Sequence, residues 1–330
     1  MRAAGTADVR IAVAAGNVFH AGPKQIVRNE IVFSKELFFG KNTPGSTSAL
    51  APAQPASVAS DLLSDGKDTI VMLEQDVATV IDGATGAVRM TADLKQFNLG
   101  TRRPAHFAVS PTGLFKREVS GSTQEDRREE LHFFSFASKT WKKIYDMPET
   151  FYLGAFTAAD GGVYAVESDR SVVFVGEDGK TKTLSATLPK HDEFIRFYNV
   201  VVDDTNVYVS GTTATAGERY CGGVGVMDNP VYVVYAVPKA GGSSRTIIKA
   251  PIEDHLALTL EGSANESLVA RSRCSHAGLW VMPPQPNAKP KKLLAPSAAV
   301  DEIGTVVAVK DGYAYFTTKE GSLLRACSDL

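Results

Sequence analysis

The chain has 330 residues, 44% hydrophobic and 22% charged, which is ordinary for a folded domain and excludes a chain disordered throughout. Lys and Arg total 35 against 37 for Asp and Glu, a formal charge of −2, so nothing in the charge argues for nucleic acid or an anionic membrane as partner. No apolar run reaches the ~20 residues of a membrane span, and the three cysteines (Cys221, Cys274, Cys327) contain no Cys-x-x-Cys pair, which excludes a zinc ribbon.

The chain opens with Arg2 and Arg10 ahead of Ile11-Ala12-Val13-Ala14-Ala15. That run is short for an export signal and Asp8 is misplaced for one, so it is read as a strand. Residues 42–59 are rich in Pro, Ala and Ser and read as a flexible loop. Next come apolar or aromatic runs at Thr69–Leu73, Gly162–Val166, Asn206–Ser210 and Gly312–Phe316. Turn signals separate them: Asp82-Gly83, Asp160-Gly161-Gly162, Asp178-Gly179, Gly241-Gly242 and Asp311-Gly312. Asp-Gly and Gly-Gly supply the positive φ angles of tight hairpins, and no long segment has a capped 3.6-residue period. The charged stretch Glu125, Asp126, Arg127, Arg128, Glu129, Glu130 reads as a solvated hairpin tip with its charges cancelled locally. Phe133, Phe134, Phe136, Trp141 and Tyr145 read as core, with a carbohydrate-stacking face as the alternative. Lys289, Lys291 and Lys292 read as a solvated outer strand.

The strands form a repeated unit. Anchored on the second strand of each, the positions are Val18, Ile70, Phe115, Tyr164, Tyr208, Val269 and Tyr315. They recur at about 45 residues, and the interval after Tyr208 carries about sixteen extra, an insertion at 211–229. Four strands per unit at this period define an all-β fold. We expect a β-propeller of seven four-stranded antiparallel blades, with six as the alternative, spanning residues 1–330 as one domain. The last unit stops after its third strand, Ser322–Ala326, so its outer strand is expected from the N-terminal region. In the six-bladed alternative, residues 1–50 are partly closure and partly arm.

Val201-Val202-Asp203-Asp204-Thr205-Asn206-Val207-Tyr208-Val209, followed by Val234-Tyr235-Ala236-Val237-Pro238-Lys239-Ala240-Gly241-Gly242, resembles a repeat of bacterial propeller proteins. Leu279-Trp280-Val281-Met282-Pro283 is similar to the second half of such a blade, and Val80–Val88 is similar to a blade turn of quinoprotein-like propellers. The resemblance implies fold rather than activity. Because such proteins are often exported, it also implies a periplasmic or extracellular setting, where Cys221 and Cys274 could pair. It does not extend to a quinone site, since Trp141 and Trp280 are too few for a docking array and no two cysteines are adjacent.

Function is expected in the loops that lead into the innermost strands. They carry Arg102, Arg103 and His106, then His191 and Asp192, then Asp254 and His255, then Glu302. Imidazole and carboxylate converging on one funnel could bind a small ligand or a divalent metal. The bland alternative is a set of solvated loops, because the three histidines stand at different offsets from their anchors. The insertion contributes Arg219, Tyr220 and Asp228 as an interaction loop. Gly222-Gly223-Val224-Gly225 lacks the lysine and helix of a phosphate cradle, and Ser275-His276 beside Cys274 are neighbours on opposite strand faces. The expectation is therefore a non-enzymatic, monomeric scaffold without cofactor that binds a protein or small ligand. The alternative is a lyase or hydrolase with a histidine–carboxylate site at the channel mouth.

Overall fold

A sheet that is apolar on both faces must find a neighbour on each side, and that requirement organises this chain. The computed structural model describes residues 10–14, 17–21, 26–30, 39–41, 47–50, 61–65, 67–74, 76–97, 107–120, 128–147, 156–167, 171–185, 188, 194–214, 231–251, 258–264, 267–272, 278–287, 289–292, 303–310, 313–318 and 323–327. They form seven four-stranded antiparallel sheets. Blade 1 is Arg10–Ala14, Asn17–Ala21, Ile26–Glu30 and Thr47–Leu50. Blade 2 is Asp61–Ser64, Thr69–Leu73, Val77–Asp82 and Val88–Asp93. Blade 3 is Phe107–Ser110, Gly113–Ser120, Arg128–Ser135 and Thr140–Met147. Blade 4 is Phe156–Ala159, Gly162–Val166, Val172–Gly176 and Thr181–Ser185. Blade 5 is Phe194–Val202, Asn206–Ala214, Val231–Pro238 and Arg245–Pro251. Blade 6 is Leu258–Ala264, Ser267–Ser272, Gly278–Met282 and Lys291–Lys292.

Blade 7 takes Ile303–Lys310, Tyr313–Thr318 and Leu323–Cys327 from the C-terminal end, and its outer strand, Phe39–Lys41, from the N-terminal region. Each innermost strand touches that of the next blade, and Ile303–Lys310 touches Arg10–Ala14, so the ring closes. All seven anchor residues fall on second strands. Two details depart from expectation. Closure from the N-terminal region coexists with seven blades rather than six. Within 42–59, expected as a loop, Thr47–Leu50 pairs with Ile26–Asn29 as the outer strand of blade 1.

The apolar faces meet in the seams. Val71, Val80, Leu94, Phe107, Leu114 and Phe134 join blades 2 and 3. Phe115, Leu131, Phe133, Val163 and Val175 join blades 3 and 4. Tyr164, Val172, Val207, Val233 and Tyr235 join blades 4 and 5. Burying each such side chain contributes about 1.5–3 kcal/mol. The aromatics expected as core are core: Phe133 and Phe134 are buried, while Phe136, Trp141 and Tyr145 pack against the seams. Outer strands repeat one device. In blades 2 to 5 a β-bulge inserts one residue into the fourth strand: Arg89, Ile144, Leu184 and Ile247. A bulge re-aims a side chain; Ile144, Leu184 and Ile247 each pack into the seam with the following blade.

Antiparallel order gives the ring two unlike rims. On one, the turn rim, first strands turn into second strands and third into fourth. There the backbone locks one turn on the other within a blade: Gly83 N donates to Asp68 O, Phe136 N to Thr112 O, Glu177 N to Gly161 O and Lys239 N to Thr205 O, at 2.7–3.1 Å. Aspartates staple the turns. Asp203 Oδ1 accepts from Thr205 N at 2.7 Å and Asn206 N at 2.6 Å, and its Oδ2 accepts from Tyr208 OH at 2.7 Å. In blade 4, Asp160 Oδ2 accepts from Tyr164 OH at 2.7 Å. It also meets Lys239 Nζ of blade 5 at 2.7 Å, and that ammonium lies over the Tyr164 ring. The Val-Pro-Lys-Ala-Gly-Gly stretch is therefore an inter-blade latch. Gly242, at φ +125°, continues it by donating its N–H to Leu184 O. Blade 3 is tied to blade 4 by Ser110 Oγ and Thr112 Oγ1, which both donate to Glu177 Oε1.

Burial raises the pKa of Asp160 and Asp203, but their hydrogen bonds outweigh it and hold both below the ordinary carboxylate value. Asp82, hydrogen-bonded by Arg89 and by Thr85 N, is held at about 2. Carboxylates depressed in this way stabilise the fold above their unfolded value of about 3.9, and the contribution is lost as pH falls through the folded values. Thermal melts should therefore be flat near neutrality and fall steeply below about pH 4. Asp160→Asn should melt lower at pH 7 and lose less on acidification; equal acid slopes for variant and parent would refute the role of the latch.

Candidate recognition face

The other rim, the leading rim, is where each innermost strand begins and where second strands pass to third. Phe107, Phe194, Leu258 and Ile303 start innermost strands there, and Ala214 and Val231 of blade 5 end there as well. Connections on the turn rim are tight, such as Pro111-Thr112 and Asp160-Gly161. Those leaving the leading rim include residues 98–106, 121–127, 215–230 and 293–302. Arg102, Arg103, His106, His191, Asp192, Asp254, His255 and Glu302 lie outside the described residues, as do Arg219, Tyr220 and Asp228. Cys221 and Cys274 do too. Strand Asn206–Ala214 takes in the first four positions of the insertion expected at 211–229, with Thr213 opposite both Ile195 and Val231.

Blade 3 supplies the most fully described part of this rim. Its innermost strand ends at Phe107, opposite Lys116, while the hairpin runs on through Ser120 and Arg128. Strand alternation sends Lys116, Glu118, Glu130 and His132 to the blade 2 side and Arg117 and Glu129 to the blade 4 side. Lys116 is 3% exposed. Its Nζ donates to the Arg117 carbonyl and, at 2.9 Å, to Glu118 Oε2, between the rings of Phe97 at 5.6 Å and Phe107 at 5.2 Å. Burial pushes this ammonium below the ordinary lysine value, and Glu118 opposes the shift. His132 meets Phe97 edge to face and Glu130 at 3.0 Å, and Glu130 also meets Lys143 at 3.3 Å. Lys143 is raised by Asp146 and Glu130.

On the other side Arg117 pairs with Glu129, Nε to Oε2 at 3.0 Å, with both side chains removed from water. Glu129 was expected in a solvated tip. It stands instead on a strand, diagonal to Arg117 across the hairpin, close enough for a cross-strand pair. Tyr145 OH donates to Glu167 Oε1 at 2.5 Å and Ser171 Oγ to Glu167 Oε2 at 2.9 Å, tying blade 3 to blade 4 at this end. The sequence signal for this pair was Arg117 alternating with Phe115 and Val119 on one face of a strand.

Chemically, this part of the rim is an array of fixed charges, with Glu118, Glu130, Lys143 and Asp146 facing outward to differing degrees. Among the described residues no three His, Cys, Asp or Glu side chains are grouped to hold a metal ion, and no helix is long and apolar enough to cross a membrane.

No family model matches the chain, and no curated protein matches it in sequence. Solved structures do match in shape. The extracellular domain of a hybrid two component system from B. thetaiotaomicron superposes with a TM-score of 0.57 at 10% identity, over 98% of this chain and 38% of that one. Hsv2 of Kluyveromyces lactis, with loop 6CD replaced by a Gly-Ser linker, gives 0.54 at 10% identity over 98% of both chains. A chain of the Mitotic Checkpoint Complex gives 0.54 at 10% identity, over 98% and 93%. Identity this low establishes fold alone, and the fold is that of a β-propeller.

Removing one partner of a buried ion pair leaves an uncompensated charge and costs about 3–5 kcal/mol, whereas replacing both by apolar groups is close to neutral. Glu129→Ala should lose that much stability in urea unfolding, and Arg117→Met with Glu129→Leu should recover most of it. A single variant as stable as the parent would show that the pair carries no structural weight.

Proposed function

We propose that the protein is a non-enzymatic propeller scaffold, acting as one monomeric unit over residues 1–330, that captures a protein or small ligand on its leading rim. The observation that carries this reading is the asymmetry of the rims. The turn rim satisfies itself: its backbone groups bond turn to turn, and its aspartates are taken by nearby N–H groups, tyrosines and a lysine. The longer connections join strand ends at the leading rim. In repeat scaffolds the regular parts hold shape and the irregular parts recognise. The recognising groups in this reading are Arg102, Arg103, His106, His191, Asp192, Asp254, His255 and Glu302 around the channel mouth, with Arg219, Tyr220 and Asp228 from the insertion. The innermost strands of blades 3 and 4, Phe-Ala-Val-Ser and Phe-Thr-Ala-Ala, carry no acid, base or nucleophile beyond a serine and a threonine, which favours capture over turnover.

The test replaces residues 215–230 by a short Gly-Ser link and compares it with a turn-rim control, Lys182→Ala. Both variants should keep the parent's circular dichroism and elute as monomers. Partners that co-purify with the parent from its native extract should be lost from the loop variant and kept by the control. Retention by the loop variant, or loss from both alike, would overturn the assignment of the leading rim.

A further inference from the structure

The seam between blades 5 and 6 is built from Val201, Tyr208, Val234 and Ile248 on one side and Leu260, Leu268, Ala270 and Met282 on the other, with Trp280 packed against them. Among the described residues, the Ser210 hydroxyl and the Trp280 indole N–H are buried at these blades with no hydrogen-bond partner. Ser210 is fully enclosed, at 0% exposure. Strand alternation sends it the same way as Tyr208, into this seam, and its cross-strand neighbour Val234 belongs to the same apolar cluster. Trp280 likewise lies opposite Ala270, a member of that cluster.

The register brings the two to one level. Ser210 stands opposite Asn199, and Trp280 stands, through Ala270, in the row of Leu260. The Asn199 side-chain amide donates to the Leu260 carbonyl, which ties the two rows together across the seam. Both innermost strands are bulged at this height, between Phe197 and Asn199 and between Leu260 and Gly262. Two bulges side by side displace backbone from the regular ladder where the two donors face this seam, which also takes in Tyr232 and the Asn199 amide.

We infer that this seam encloses a binding site for one water-sized hydrogen-bond acceptor, held between Ser210 Oγ and Trp280 Nε1. A buried hydroxyl or indole N–H left unsatisfied is destabilising, and buried groups of this kind are met by an ordered water that makes about three hydrogen bonds. The indole donates. The serine hydroxyl can donate or accept, so a water oxygen accepts from Trp280 Nε1–H and the water either accepts from the Ser210 hydroxyl or donates to its Oγ. The site is independent of the leading-rim reading, since it concerns the seam beneath that rim and not its loops.

The sign of one substitution decides the matter. If the site is filled, Ser210→Ala removes a ligand of the bound water and the melting temperature falls. If the hydroxyl is an orphan, the same change relieves it and the melting temperature rises or stays. A second measurement does not depend on stability. In the Trp141→Phe variant the single remaining indole proton is that of Trp280, and a long-lived water should give it a dipolar cross-peak of the sign of a slowly tumbling complex. That cross-peak should disappear in Ser210→Ala. A raised or unchanged melting temperature, or an indole proton with no such water contact in the otherwise native protein, would overturn the inference.

Discussion

Each blade is a thin sheet with two apolar faces, and water is excluded from both only when every blade has two neighbours. This constraint forces closure: an open row of seven would leave its end faces wet. It also explains why polar interactions concentrate at strand ends. The mid-strand positions of Thr69–Leu73 and Gly162–Val166 are buried without relief, so the chain's hydrogen-bonding side chains collect where strands turn. Among the described charged side chains, Lys116, Arg117 and Glu129 are buried exceptions. Each is buried beside an opposite charge, as burial of a charge requires.

The two rims differ because the longest connections, such as 98–106 and 215–230, leave the leading rim, while most turn-rim connections are short. A two-residue hairpin is closed by its own backbone and by one aspartate, and its chemistry is consumed in the process. Asp160 and Asp203 illustrate this: each accepts a tyrosine hydroxyl and at least one other donor, which leaves them poor candidates for binding anything else. Longer connections are under no such demand. The face available for recognition is therefore set by topology before any particular residue is considered.

Much of the architecture was legible in the sequence because it repeats. Val18, Ile70, Phe115, Tyr164, Tyr208, Val269 and Tyr315 mark second strands in every blade, and Asp-Gly or Gly-Gly pairs mark turns. The roles of Lys239 and Glu129 were not legible. Lys239 reaches the neighbouring blade, and nothing local in Val-Pro-Lys-Ala-Gly-Gly names Asp160 as its partner. Glu129 looked solvated among five charged neighbours; only the hairpin register shows that it faces Arg117. Thr47–Leu50 was hidden by the Pro- and Ala-rich composition around it. The channel-mouth residues read from the sequence fall outside the described segments.

The path of the chain through blades 1 and 7 has a consequence for biogenesis. Phe39–Lys41 leaves blade 1 after its third strand, completes blade 7, and the chain then returns to lay down Thr47–Leu50. Its partner Leu323–Cys327 lies about 280 residues further along the chain. On a ribosome, that strand must therefore wait, with its pairing groups unmatched, until the intervening residues have been synthesised. Such long-range pairing is slow and exposes an aggregation-prone edge in the meantime. A nascent chain stalled before residue 323 would display blade 7 unfinished beside a completed blade 1, with Phe39–Lys41 lacking its partner strand.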